Sequence, residues 1–167
     1  MNRMENLILR EATIADASII EDYIIEKNPY TVLPMDGMTE SLHETEKYPI
    51  LVLDQDTMVG FFILQTGNSV LNYVSNPNAI LLKSHSVDKR YQKQGYGKAS
   101  MEKLPKYLKE RFSSINEIIL LIDYDNISGQ MMYLKSGFKD TKKKIKEVDG
   151  YKFVYSKILE DSLDGSV

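Results

Sequence analysis

Cysteine is absent from the 167 residues, and that single absence removes several kinds of chemistry at once. No disulfide can staple the fold, no thiolate can act as a nucleophile, and no cysteine-ligated metal can form. Any acyl transfer must then avoid an enzyme-cysteine thioester. Tryptophan is also missing, and histidine is limited to His43 and His85. These two lie far apart and make no metal-ligand cluster, so no metal is expected. No apolar run approaches the ~20 residues of a membrane span. Residues 1–10 carry Glu5 and lack the apolar stretch of a secretory signal. A cytoplasmic protein without membrane contact is expected, and the Asn126-Ile127-Ser128 sequon is taken as accidental. Excess positive charge is lacking too: 21 Lys and Arg against 24 Asp and Glu leave a formal charge of -3. Nucleic-acid binding normally demands a concentrated basic face. The short Lys142-Lys143-Lys144 run fits edge protection of a strand better.

What is present suffices for a core. With 43% hydrophobic and 27% charged residues, the length and composition suit one domain over 1–167, ordered from about 7 to 158. Residues 7–10 can start a strand. Ile14, Ala17, Ile20, Ile24 and Ile25 then share one helix face, with Thr13 and Asp16 as a capping pair and Asn28-Pro29 as the stop. A polar piece over 39–46 can be helical. Residues 50–53 and 58–65 read as a hairpin joined at Asp54-Gln55-Asp56. Residues 70–74 can extend a strand, and 79–87 form another. A helix over 97–112 carries Met101, Leu104 and Leu108 on one side, with Pro105 weakening one turn. A buried strand over 118–122 and a helix over 126–135 follow, the latter ending at Ser136-Gly137. Residues 138–148 and 151–158 flank Asp149-Gly150, a strong hairpin signal, and the tail beyond 158 is expected to fray. The order predicts a mixed α/β (α+β) fold, helices flanking a mainly antiparallel sheet.

Between the strand at 79–87 and the helix at 97–112 stands Gln92-Lys93-Gln94-Gly95-Tyr96-Gly97-Lys98. Its glycines let the backbone approach a bulky anion, and loop amides with the helix's positive end can solvate phosphate. An ordinary helix-capping turn explains the residues equally well. A P-loop is excluded because Ala99 replaces the hydroxyl residue and Gln92 the first glycine. A dinucleotide fingerprint is excluded by Ser100 at the third glycine position.

Gln92, Gly95 and Gly97 do satisfy the acetyl-CoA signature Gln/Arg-x-x-Gly-x-Gly/Ala. The stretch from Val87 to Gly97 resembles the central motif of the GNAT superfamily of N-acetyltransferases. Asn126, Tyr133 and Gly137-Phe138 match that superfamily's downstream motif at the expected distance. The resemblance implies a GNAT-like acyl-CoA N-acyltransferase fold. It also implies acetyl-CoA as co-substrate and transfer of acetyl to a primary amine by direct attack. His85, Ser86 and Val87 would run beside the pantetheine arm, with the Val87 amide facing the thioester carbonyl. The backbone of Lys93, Gln94, Gly95, Tyr96, Gly97 and Lys98 would hold the pyrophosphate, and Asn126 would contact pantetheine. Tyr133 resembles the general acid that protonates the leaving thiolate.

The base is less defined, because Leu121 stands where some relatives place a glutamate. His85 is an alternative, its reference pKa of ~6.5 suiting proton removal, and a partly buried structural histidine explains it equally. Asp123 or Asp125 can act through water. Glu21 and Glu26, expected on the first helix, can bind a cationic amine, and Tyr23, Tyr30 and Tyr73 can line its pocket, although solvation of helix charges and ordinary packing are the favoured readings. The segment 88–98 resembles polyamine-acetylating relatives, making spermidine a candidate among small-molecule acceptors. A protein amino group, a non-catalytic acyl-CoA-binding module and a homodimer all stay open.

Overall fold

The computed structural model of the protein describes residues 3–26 and 32–160. Its centre is a seven-stranded sheet in the order β1-β2-β3-β4-β5-β7-β6. The strands are β1 (Leu7–Glu11), β2 (Lys47–Asp54), β3 (Thr57–Gln65), β4 (Ala79–Val87), β5 (Glu117–Asp123), β6 (Lys139–Glu147) and β7 (Gly150–Ile158). Every pairing is antiparallel except β4 with β5. This is the mixed, mainly antiparallel sheet the sequence predicts. No described helix is long and apolar enough to cross a membrane.

Helices α1 (Ala17–Glu21) and α2 (Pro34–Leu42) cover one face of the sheet, over Leu51, Phe61 and Ile63. Helix α3 (Tyr96–Arg111) covers the opposite face. Tyr96, Ser100, Leu104 and Leu108 recur every fourth residue, and with Met101 they all turn inward. Met101, Leu104 and Leu108 are fully buried against Ile50, Phe62, Leu64, Ile80 and Ile118. Each such side chain stabilises the fold by roughly 1.5–3 kcal/mol. The helix runs on through Pro105, as an amphipathic helix can when tertiary packing outweighs one lost backbone bond. Helix α4 (Ile127–Lys135) lies on the same side as α3, Met132 and Tyr133 packing against that core.

Four expected elements differ. The first helix stops at Glu21 instead of continuing past Ile25. Asp88 takes the Ile24 amide at 3.0 Å, and the Ile24 carbonyl accepts from the Lys89 amide at 2.7 Å. Those bonds draw 22–26 out of helical geometry. Tyr30 and the Asn28-Pro29 stop lie outside the described residues. The second helix begins at Pro34 and ends at Leu42, not over 39–46. Proline at the first helical position loses no bond and its fixed φ favours the turn. Residues 68–72 form a 3-10 turn instead of a strand. The last hairpin turns at Val148-Asp149, with Gly150 at φ +127° opening β7. The capping pair does form, the Asp16 carboxylate accepting the Thr13 amide at 2.8 Å. Strand β6 lies at the sheet edge and carries Lys142 to Lys144, charges that discourage another chain from pairing there. The tail beyond 160 lies outside the described residues.

Candidate active site

The site is built where β4 and β5 part. They are paired from Ala79 with Glu117 to Leu82 with Leu120, and not beyond. Both strands nevertheless continue, to Val87 and Asp123. The separation exposes backbone that a parallel pair would otherwise use. Asp88 donates its amide to Val59 of β3 at 2.8 Å. Amides alternate sides along an antiparallel strand, so the neighbouring Val87 amide points into the gap.

A bulge on β4 sets which side chains face which way. Lys83 pairs with Ile63 and Ser86 with Phe61, so Ser84 and His85 together oppose Phe62. Ser84 takes φ +55°, the left-handed region a bulge can require. The extra residue shifts the alternation. His85 thereby joins Ile80 and Leu82 on the α3 face, its ring edge-on to Phe62 at 5.9 Å. Ser86 instead faces Tyr23, whose hydroxyl it meets at 2.8 Å.

His85 sits at the centre of a hydrogen-bond chain. Its Nδ1 lies 2.9 Å from the Tyr133 hydroxyl and its Nε2 lies 3.2 Å from Ser100 Oγ. Ser100 Oγ donates to the Gly97 carbonyl at 2.8 Å. That commitment of the one serine proton leaves Ser100 accepting from Nε2–H. Nδ1 is then the acceptor, and Tyr133 donates to it. Both rings border a cleft yet are densely surrounded by protein, and burial moves both titrations toward the neutral forms. The imidazolium is pushed down to about 4, and the tyrosine hydroxyl is raised well above its usual range.

The phosphate-type loop is anchored from beneath. Asp88, fully buried, accepts from the Ile24 amide, the Arg90 amide and the Arg90 guanidinium. Burial alone would raise this carboxyl, but those bonds outweigh it and hold it below the ordinary range. Gln92 reaches back from its Nε2 to the Val87 carbonyl at 3.3 Å. Lys93 at φ +63° and Gly95 at φ +91° then turn the chain into α3. The first bond closing that helix runs from the Ala99 amide to the Gly95 carbonyl. The amides ahead of it in the first turn have no intrahelical acceptor, and they form the positive end of a 16-residue helix. Lys93 and Gln94 are exposed beside it, and Lys98 pairs with Glu102 at 3.8 Å. Tyr96 has a buried ring that sends its hydroxyl to Asp54. Asn126 caps α4, its Oδ1 accepting the Gly129 amide at 3.1 Å, which leaves Nδ2 as its donor.

Two cavities meet here. The smaller, about 660 Å³, runs along the loop from Val87 and Gln92 to Lys98 and on past Gly129 and Met132. The larger, about 870 Å³, is walled by the α2–β2 connection, Gln65, Lys83, Asp123 and Lys152. His85, Asn126 and Tyr133 border both. The expected site residues therefore converge, with Tyr73 and Asp123 on the larger cavity and Glu26 on the smaller. Glu26 lies outside any helix, and Glu21, though at the end of α1, is exposed and borders neither cavity. Sequence reasoning missed Ser100 as the partner of His85, Asp88 as the anchor, and most of the larger cavity. Asp88-x-Arg90 beside the loop was an available signal for the second.

This fold has counterparts among known proteins. Residues 12–138 match the acetyltransferase (GNAT) family. The chain belongs to the GNAT family. It is therefore an enzyme of the N-acetyltransferase class. An uncharacterized N-acetyltransferase of Bacillus subtilis, YbbJ, is 38% identical over 112 residues, 66% of this GNAT chain and 70% of that protein. Among solved structures, a spermidine N-acetyltransferase from Vibrio cholerae bound to CoA and spermine superposes with TM-score 0.68 at 14% identity, covering 93% of this chain and 96% of that one. The aminoglycoside acetyltransferase AAC(6')-Ib with coenzyme A gives TM-score 0.72 at 14% identity, covering 91% and 94%. The ribosomal-protein-S18-alanine N-acetyltransferase of Escherichia coli gives 0.64 at 18% identity, covering 93% and 96%. At such identities the likeness is one of fold.

Proposed function

We propose that the chain transfers acetyl from acetyl-CoA to the primary amine of a small molecule by direct attack. The observation that carries this is the meeting of two cavities at Tyr133 and His85 through the parted strands. A thioester entering along the loop and an amine entering from the opposite face would converge there. The amides of 93–98 and the N-terminal end of α3 suit a pyrophosphate, since backbone N–H groups and a positive helix end favour an anion. The gap-facing Val87 amide can accept the charge that develops on the thioester oxygen. Solved relatives of the same fold carry CoA in their named complexes.

Tyr133 acts in this proposal as the general acid for the thiolate. His85 holds it: a neutral ring with a lone pair on Nδ1 fixes the hydroxyl at the cavity junction. That assignment takes His85 away from the base role, because its lone pair is occupied and its imidazolium titrates near 4. The ammonium proton leaves toward Asp123, whose carboxylate borders the larger cavity in a 2.8 Å pair with Lys152.

The decisive test is Tyr133→Phe, assayed by thiol release from acetyl-CoA with a panel of amines that includes spermidine. The turnover number should fall by about 10²–10⁴-fold, the range for a positioned acid, while acetyl-CoA affinity measured by calorimetry stays unchanged. Unaltered turnover would remove Tyr133 from the chemistry. A cytoplasmic site of action and acceptor choice among small amines follow from the same reading.

A further inference from the structure

The larger cavity contains an uneven arrangement of cations. Lys47 on β2 and Lys83 on β4 neighbour each other across β3, yet only Lys47 is neutralised by direct contact. Its Nζ meets Glu40 at 2.5 Å and Glu44 at 2.7 Å. Burial opposes its charge, but those two bonds outweigh burial and raise it above the ordinary lysine range. Lys83 is half-buried in the cavity wall and has no carboxylate within 4.0 Å among the described residues. Its hydrogen bond runs to a neutral oxygen, Gln65 Oε1, at 3.3 Å. Desolvation and the facing Lys47 push its titration downward, and the more distant Glu40 and Glu44 offset this only in part. The third cavity lysine, Lys152, is held by Asp123 at 2.8 Å. Glu46 and Glu147 also line this cavity, but neither lies within 4.0 Å of Lys83. A half-buried ammonium without a carboxylate in contact is costly unless an anion completes it.

Its placement says where that anion belongs. Lys83 precedes His85 by two residues on β4, roughly 7 Å of strand, with the bulge between them. The bulge leaves Lys83 facing the α2 side with Ile63 while His85 faces α3. The ammonium therefore lies on the acceptor's side of the junction, close enough to hold one end of a small molecule whose other end is at Tyr133.

We propose that Lys83 binds a carboxylate of the acceptor, so that the substrate is an amino acid or similar amine carboxylate instead of a purely cationic polyamine. This rests on the acetyl-transfer reading above. A polyamine's ammonium groups would find Glu46 and Glu147 on the wall but leave Lys83 uncompensated. An amine carboxylate would instead complete the pairing and orient its amine toward the thioester. One charge-assisted contact of this kind corresponds to about tenfold to a hundredfold in affinity.

Amino acids and their carboxamides form matched pairs that differ only in this group. In acetyl-CoA turnover by the full chain, at least one amino acid should exceed its amide and spermidine by tenfold or more in kcat/KM. Lys83→Met should erase that ratio by raising KM for the acid while leaving the amide's kcat/KM and acetyl-CoA affinity unchanged, and Lys83→Arg should restore most of it. Amides or spermidine outperforming every acid, or a preference for the acid that survives in K83M, would overturn the proposal. Titrating N-acetylamino acids and their amides onto the CoA-saturated protein probes the same contact without turnover. Binding that discriminates the acid in the absence of any turnover would support the Lys83 contact and count against the catalytic reading alone.

Discussion

Acid should destabilise this protein in a window set by one histidine. The His85 imidazolium titrates near 4 in the folded state because burial disfavours its charge, against 6.5 for an exposed ring. Between those values the unfolded chain binds a proton that the folded chain does not, so stability falls as pH falls. The slope is about 1.4 kcal/mol per pH unit, and crossing the whole interval costs about 3 kcal/mol. Carboxylates behave differently. Asp16 is held below its ordinary value by Arg10, and Asp88 by bonds from Arg90 and Ile24 that overcome its burial. Their contributions are present above about pH 4 and are lost only as pH falls below it. The two effects therefore separate. Urea unfolding at a series of values from about pH 7 down to about pH 5 should be compared between the native chain and His85→Gln, whose amide can bond both Tyr133 and Ser100 without titrating. The stability difference between them should shrink by about 2 kcal/mol from about pH 6.5 to about pH 5. A difference that does not change with pH would refute the buried neutral ring, and with it the direction assigned to the Tyr133 hydrogen bond.

Three other perturbations follow from particular contacts. Ser100→Ala orphans the Nε2–H of His85 and should cost about 1–3 kcal/mol in urea unfolding, with kcat reduced more than acetyl-CoA affinity. Gly95→Ala has room for its methyl, the nearest atom being Met4 Cε at 3.8 Å. Its cost is conformational, from φ +91°, and should be roughly 1–2 kcal/mol, measurable as a lowered Tm together with weaker acetyl-CoA binding. Asp88→Asn withdraws the charge that gathers Ile24 and Arg90, and about 1–3 kcal/mol of stability should go with it. Protease cleavage near 22–26 should become faster in that variant.

Local signals carried most of the fold. The α4 segment could be read because its determinants sit within it: Asn126 caps the first turn and Gly137 at φ +95° ends the last. The β2–β3 and β6–β7 hairpins were legible for the same reason, although the second turn falls one residue earlier than its Asp-Gly pair suggests. What failed was decided at a distance. Ile24 and Ile25 have helical spacing, yet the Ile24 amide belongs to Asp88, 64 positions away. The larger cavity gathers Lys47, Gln65, Lys83 and Lys152 from four strands, and no spacing within one segment announces that.

The bulge at Ser84 explains why the geometry of the candidate site is hidden from sequence. A strictly alternating β4 would put Ser84 and Ser86 on the face of Ile80 and Leu82, and His85 on the opposite one. One inserted residue reverses this over the second half of the strand. Lys83 stays with the larger cavity, His85 crosses to Tyr133 and Ser100, and the Val87 amide turns into the gap. The parting of β4 from β5 begins at the same place, after Leu82. A single local break in register therefore does two things: it leaves backbone unpaired for a ligand, and it distributes neighbouring side chains between the two cavities that the ligands would enter. In the proposed reaction, Lys83 and His85, two residues apart, would thereby serve opposite sides.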